Sequence, residues 1–323
     1  MIKNLSYISI DNYTTLLGFQ LSNIQLSYQL FGQKLGTAPV VLVNHALTGN
    51  SAVIGKIGWW KDLIGKNKTI DTNSFSIIAF NIPGNGYDGL QIDNYQDFVA
   101  KDIANIFLKG LTKIGITSLY AIIGGSLGGG LAWEMAALKN NITEHIIPIA
   151  SDWKSTDWLI ANCFIQEQFL LNSKKPVHDA RMHAMMCYRT PESYKAKFNR
   201  TFHNKFKIFN VESWLLHHGK KLQDRFQLSA YKMMNQLLRT IEVSTSENWA
   251  DELSKINAQI HIVAIDSDLF FTAKENKETF IQLSKLNSNV FYHEIKSIHG
   301  HDAFLIEFEQ LEKIIKPIFR LSL

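Results

Sequence analysis

The sequence predicts an α/β protein, a mostly parallel, doubly wound sheet with a helical segment inserted between its strands. Three observations carry this. Short continuous apolar runs recur at PVVLV (39–43), FSIIAF (75–80), LYAII (119–123), HIIPIA (145–150) and IHIVAI (260–265), as in strands buried on both faces of a parallel sheet. Helical patterns lie between them. Phe98, Ile103, Ile106, Phe107 and Leu111 recur at mostly three- and four-residue steps, and LAWEMAAL follows shortly after Ser126, so strand and helix alternate. The strand rhythm then stops from Ser151 to about Asn248 and resumes at 260.

Upstream of the first run, FQLSNIQLSYQLFG (19–32) alternates apolar and polar residues on either side of Ser22-Asn23 and reads as paired, half-exposed strands. The strand-free segment carries five of the seven methionines, Trp153, Trp158 and Trp214, and two helical stretches, VESWLLHHGKKL and YKMMNQLL. A cap over an active site is its expected role, because binding residues favour segments displayed by a rigid scaffold. The expected organisation is a core of residues 1–150 and 250–323 with a helical cap at 151–249.

Bulk properties narrow the classes. The 323 residues are 46% hydrophobic and 19% charged, ordinary for a globular enzyme of one core plus an insertion. The net charge of +4 comes from dispersed lysines, so a nucleic-acid partner is not expected. Cys163 and Cys187 are the only cysteines; two thiols make neither a disulfide framework nor a zinc site, and a reducing compartment is expected. MIKNLSYISIDNYTT lacks the apolar stretch of a signal peptide and no run approaches a membrane span. A cytoplasmic protein with no membrane partner and no bound metal is the expectation.

The chemistry centres on IIGGSLGGG (122–130). Gly124-x-Ser126-x-Gly128 follows an expected strand and opens an expected helix, the nucleophile-elbow arrangement, which leaves the Leu127 N–H facing a reacting carbonyl oxygen. A phosphate loop fits poorly: no Gly-Lys-Ser/Thr ending follows, and the loop comes after about the fifth strand rather than the first. A serine needs a base, and the base an orienting acid, in the order Ser, acid, His. Asp266 and Asp268 follow the strand IHIVAI, and His299 and His301 follow the strand NVFYHEI. Taken singly, each has a plainer role, as helix cap or solvated loop residue. The second oxyanion donor is expected from NHALTGN (44–50), with Leu47 as donor and His45 as a structural residue holding the loop.

These residues carry a family resemblance. NHALTGN, GWWKDLIGKNKTIDTNSFSIIAFN (58–81), IIGGSLGG, ARMHAMMCYRTPESYKAKFNR, VESWLLHHGKKLQDRF, DSDLFF and HGHDAFL resemble, in order and over most of the chain, the homoserine O-acyltransferases of the α/β-hydrolase fold. The resemblance implies Ser126 as nucleophile, Asp268 rather than Asp266 as orienting acid and His301 rather than His299 as base. It further implies Leu47 and Leu127 as oxyanion donors and Thr48 and Asp302 as acceptor contacts. Acyl-CoA, with acetyl-CoA first in line, is the implied cosubstrate, homoserine the implied acceptor in methionine biosynthesis, and a homodimer through the cap the implied assembly. The chain departs from the family at NCFIQEQFL, where Glu167 replaces the arginine that holds the acceptor's carboxylate. Arg181, Arg189 and Arg225 are candidates to replace it. A serine hydrolase using water as acceptor is the second reading, and a binding protein with a decayed site the third.

Overall fold

The computed structural model describes residues 5–321. Residues 1–4, the start of the stretch read for a leader segment, lie outside them. The apolar runs become the central strands: β3 (Val40–Asn44), β4 (Ser76–Phe80), β5 (Leu119–Gly125), β6 (Thr143–Ile149), β7 (Gln259–Ile265) and β8 (Val290–Ile295). With β1 (Ser6–Thr14) and β2 (Gln20–Gly32) they form an eight-stranded sheet of order β1-β2-β4-β3-β5-β6-β7-β8. The strands from β3 to β8 pair in parallel, while β2 runs antiparallel to both β1 and β4.

Continuous apolar sequence is needed because both faces are covered. Leu42, Ile78, Ile122, Ile146 and Ile262 enter one core, and their neighbours Val41, Val43, Ile77, Ile123, Ile147 and Val263 enter the other. Helices α1 (Ala100–Lys113) and α2 (Leu127–Leu138) close the first face. On the second face Trp60, Leu63, Ile64 and Phe75 pack with residues near the C-terminus, including Leu311 and Ile315.

The sheet's antiparallel edge corrects one expectation. Residues 20–32 form a single strand of 13 residues rather than two, and its partner is β1. Ser22-Asn23 makes no turn. Asn23 instead stands opposite Asp11 and donates a hydrogen bond to its carboxylate at 2.9 Å, a polar pair that an exposed edge tolerates.

Between β6 and β7 the chain forms six helices: α3 (Asp157–Asn172), α4 (Pro176–Tyr188), α5 (Pro191–Phe198), α6 (Asn210–Gln223), α7 (Leu228–Arg239) and the short α8 (Trp249–Leu253). A two-residue ladder joins Phe202–His203 to Ile208–Phe209 within this run, a minor departure from the strand-free expectation. Among the described residues no helix is long and apolar enough to cross a membrane.

Candidate active site

The register of the parallel strands sets the site. Asn44 at the end of β3 lies opposite Gly124 of β5, which lies opposite Pro148 of β6. The loops after β3, β5, β7 and β8 therefore leave the same edge, where sites of α/β sheets gather.

Ser126 links β5 to α2 with φ 56° and ψ −125°, a conformation that L-residues rarely adopt and that is stored at functional turns. The flanking glycines are required by contact. A Cβ on Gly124 would meet the Gly128 carbonyl carbon at 2.4 Å, and one on Gly128 would meet the Asn44 oxygen at 2.4 Å. The Ser126 N–H donates to the Ile149 oxygen at 2.9 Å, fixing the turn to β6.

The structure brings Ser126, His301 and Asp268 into one line. His301 Nε2 is 2.9 Å from Ser126 Oγ and His301 Nδ1 is 2.7 Å from Asp268 Oδ2. The other Asp268 oxygen accepts from the backbone N–H groups of Phe270 and Phe271 at 2.6 and 3.1 Å. These bonds aim the carboxylate at the ring, so Nδ1 carries the proton and Nε2 is free to accept one from serine. All three residues are at most 4% exposed. Asp266 instead accepts from the Ser297 N–H, and His299 lies with Ser193 and Arg189.

The loop after β3 crosses in front of this line. His45 is buried and neutral: the Ile82 N–H donates to Nε2 at 3.0 Å, and Nδ1 donates to the Ala46 oxygen at 2.8 Å. Burial pushes its pKa down to about 4, consistent with a structural strut. Asn44 Nδ2 ties the loop to the Gly128 oxygen at 3.3 Å. Leu47 lies in this loop, and Leu127 follows Ser126 directly as the first residue of α2.

Aromatic rings enclose the imidazole, with Phe270, Tyr188, Phe304 and Phe271 centred 5.0, 5.4, 5.7 and 6.0 Å from it. Tyr188 belongs to α4, so the helical insertion contributes one of these rings. No sequence period reports this, because the rings come from separate segments. The space beside them, lined by Leu47, Tyr188, Tyr231 and Phe270, holds only ≈10 Å³. A larger cleft, ≈670 Å³, lies elsewhere, among residues such as Trp153, Trp249 and Glu275.

The acceptor contacts implied by resemblance are partly engaged. Asp302 Oδ2 pairs with Arg189 Nε at 2.9 Å, and the Thr48 oxygen accepts from Arg225 Nη1 at 3.2 Å. Glu167 faces Arg239 at 2.9 Å and accepts from the Tyr95 hydroxyl at 3.2 Å. It is thus a neutralised partner rather than a bare charge toward a substrate. Among the described residues no group of three or more His, Cys, Asp or Glu is placed to hold a metal ion.

Residues 39–164 match the α/β-hydrolase-fold family. Homoserine O-acetyltransferase of Methanococcus vannielii is 31% identical across 92% of this chain and 69% of its own length. Those of Chloroherpeton thalassium and Trichormus variabilis are also 31% identical across 92% of this chain, covering 84% and 89% of theirs. The chain belongs to the homoserine O-acetyltransferase family. Membership of that family makes it an enzyme of the acyltransferase kind. Among solved structures, homoserine O-acetyltransferase from Bacillus anthracis aligns with a TM-score of 0.85 over 99% of this chain and 98% of that one, at 18% identity. Esterase E22 aligns equally well, with a TM-score of 0.85 over 98% and 100%, also at 18% identity. At that identity the likeness establishes the α/β-hydrolase fold, which carries both a transferase and an esterase.

Proposed function

We propose that the protein moves an acetyl group from acetyl-CoA, through a Ser126 acyl-enzyme, to the hydroxyl of homoserine, a step of methionine biosynthesis. The observation that carries the chemistry is the Ser126–His301–Asp268 line, with Nε2 of His301 2.9 Å from the serine oxygen. His301 takes the Ser126 proton as Oγ attacks the thioester carbonyl, and the Leu47 and Leu127 N–H groups stabilise the oxyanion. The tetrahedral intermediate collapses, the C–S bond breaks and His301 returns the proton to the CoA sulfur. The acceptor hydroxyl then gives its proton to His301 and attacks the acyl carbonyl, and Ser126 leaves with that proton. Asp268 holds the ring in the productive tautomer throughout.

Transfer rather than hydrolysis is supported by the curated relatives at 31% identity, which are homoserine O-acetyltransferases; a site that orients a bound alcohol and excludes water favours that outcome. The helices at 151–249 act in this reading as the cap. Their exposed apolar side chains, Trp158, Phe164 and Leu171 on α3, support a homodimer formed through it.

Incubation with acetyl-CoA, with and without L-homoserine, tests the reading through thiol release and product mass. Homoserine-dependent release with an O-acetylhomoserine product supports transfer. Release that ignores homoserine and yields acetate overturns it in favour of a serine hydrolase.

A further inference from the structure

The turn that carries His301, Gly300–Leu305, is gripped from two sides. On the core side, Ser267 in the loop after β7 accepts from the Gly300 N–H at 3.1 Å, and Asp266 accepts from the Ser297 N–H at 2.9 Å. On the other side lies the junction between α4 and α5 in the helical insertion. Its polar groups do not touch the imidazole; they bond the residues around it. Arg189 Nε donates to Asp302 Oδ2 at 2.9 Å, and Arg189 Nη1 lies 3.3 Å from His299 Nδ1. Ser193 Oγ is 3.0 Å from the same nitrogen, and the Thr190 hydroxyl donates to the Ile298 carbonyl. A single guanidinium therefore spans His301, with one partner two residues before it and the other directly after it.

The backbones approach closely as well. Gly300 has φ +64°, and a Cβ there would meet the Tyr188 oxygen at 3.0 Å and the Arg189 Cα at 3.4 Å, so the turn seats against the junction where a side chain does not fit. The ring of Tyr188, next in sequence to Arg189, is centred 5.4 Å from the imidazole. Arginine suits this place. Its planar fork donates in two directions at once and accepts nothing, so His299 Nδ1 is the acceptor, whereas a lysine is a single flexible point of charge.

We propose that Arg189 is a positioning residue for the base: reaching across from the helical insertion, it clamps His299 and Asp302 so that His301 keeps its reach to Ser126. The separation it protects is the 2.9 Å between His301 Nε2 and Ser126 Oγ, and a displacement of about 1 Å in such a contact costs on the order of 10²-fold in rate. The inference rests on the Ser126–His301 chemistry proposed above, and not on which acceptor takes the acyl group.

The test is the acylation half-reaction, followed as the burst of p-nitrophenol from p-nitrophenyl acetate and of CoA from acetyl-CoA. No acceptor is present, so a contact of Asp302 with one does not enter. The burst amplitude counts competent molecules and the rate constant describes each of them, so partial misfolding lowers the amplitude alone. Arg189→Met is expected to slow acylation by about one to two orders of magnitude, by the same factor for both donors and with half-saturation little changed. Arg189→Lys, which reaches one partner but not both, is expected to fall between Met and the wild type, and it carries the comparison if the Met variant gives no burst. A Met variant within twofold of the wild type overturns the proposal, because the bonds from Ser267 and Asp266 would then suffice. So does a loss confined to acetyl-CoA or to half-saturation, which would make Arg189 a donor contact. A wild-type protein that forms no acetyl-Ser126, read by mass of the stopped reaction, fails the triad reading and the arginine's role with it, whereas a wild-type burst beside an unchanged variant fails the arginine alone.

Discussion

His301 Nε2 stands 2.9 Å from Ser126 Oγ while Nδ1 of the same ring is held 2.7 Å from Asp268. The carboxylate's remaining oxygen is occupied by two backbone donors, so its orientation is set before any substrate arrives. Asp268→Asn keeps the shape but allows an amide N–H to face Nδ1, which moves the ring proton to Nε2. On the proposed chemistry kcat is expected to fall by ~10⁴ with the fold intact, and Ser126→Ala to lose at least as much. Acetyl transfer rates with circular dichroism as the folding control check this; an Asn variant at near-wild-type rate would remove Asp268 from the mechanism.

The strain at Ser126 is measurable separately from its chemistry. Its φ of 56° suits glycine, whereas alanine suffers the same steric conflict as serine. Ser126→Gly and Ser126→Ala both lose the hydroxyl, so their difference isolates the backbone. Glycine is expected to be the more stable by ~1 kcal/mol in urea unfolding. Equal stabilities would mean that the turn is relaxed.

Placing at position 167 the arginine that the resemblance implies is expected to do harm. Glu167 is bonded to Arg239 at 2.9 Å, with side chains only 12% and 26% exposed. Glu167→Arg would set two guanidinium groups together and leave Arg239 without its partner. A loss of ~2 kcal/mol is expected, below the full cost for a deeply buried pair because both ends retain some solvent. Thermal unfolding reads the loss, and the KM for homoserine is expected not to improve. A tighter KM would mean that this position still faces the acceptor.

The parts legible in the sequence are those whose physics is local. β3 to β7 are apolar on both faces and short, and the elbow glycines are fixed by contacts with strands already recognised. β1 is missed although Ile8 and Ile10 alternate with Ser9 and Asp11, because one buried face at a sheet edge leaves a weaker signal than two. Its partner β2 is misread as two strands for the same reason, since polar residues at an edge resemble a turn. In the site, the triad order and strand-end positions mark Ser126, Asp268 and His301, but the choice between Asp266 and Asp268 needed resemblance. The Glu167–Arg239 pair spans 72 positions, and the aromatic enclosure of His301 joins α4 to two loops. Neither has a period to read.

A row of histidines crosses the sheet, His145 on β6, His261 on β7 and His293 on β8. His145 Nδ1 and His261 Nε2 are 3.3 Å apart, and the His261 and His293 rings stack at 5.8 Å. Burial, then the two neighbouring histidines, push His261 down to about 3, and burial lowers His145 and His293 as well. Folded pKa values below the unfolded 6.5 mean that the unfolded chain binds more protons in acid. Stability from these groups is therefore complete above pH ~6.5 and is lost as pH falls below it, with His261 contributing down to about pH 3. Each histidine held neutral steepens the loss by up to ~1.4 kcal/mol per pH unit. His261→Leu keeps an apolar side chain in the row and removes the most depressed member, so unfolding free energy is expected to fall less steeply between pH 6 and 4.5. Urea unfolding of both proteins across that range checks it. Parallel profiles would show that His261 takes up its proton in the folded state as it does in the unfolded one and that acid sensitivity arises elsewhere, for instance among the carboxylates.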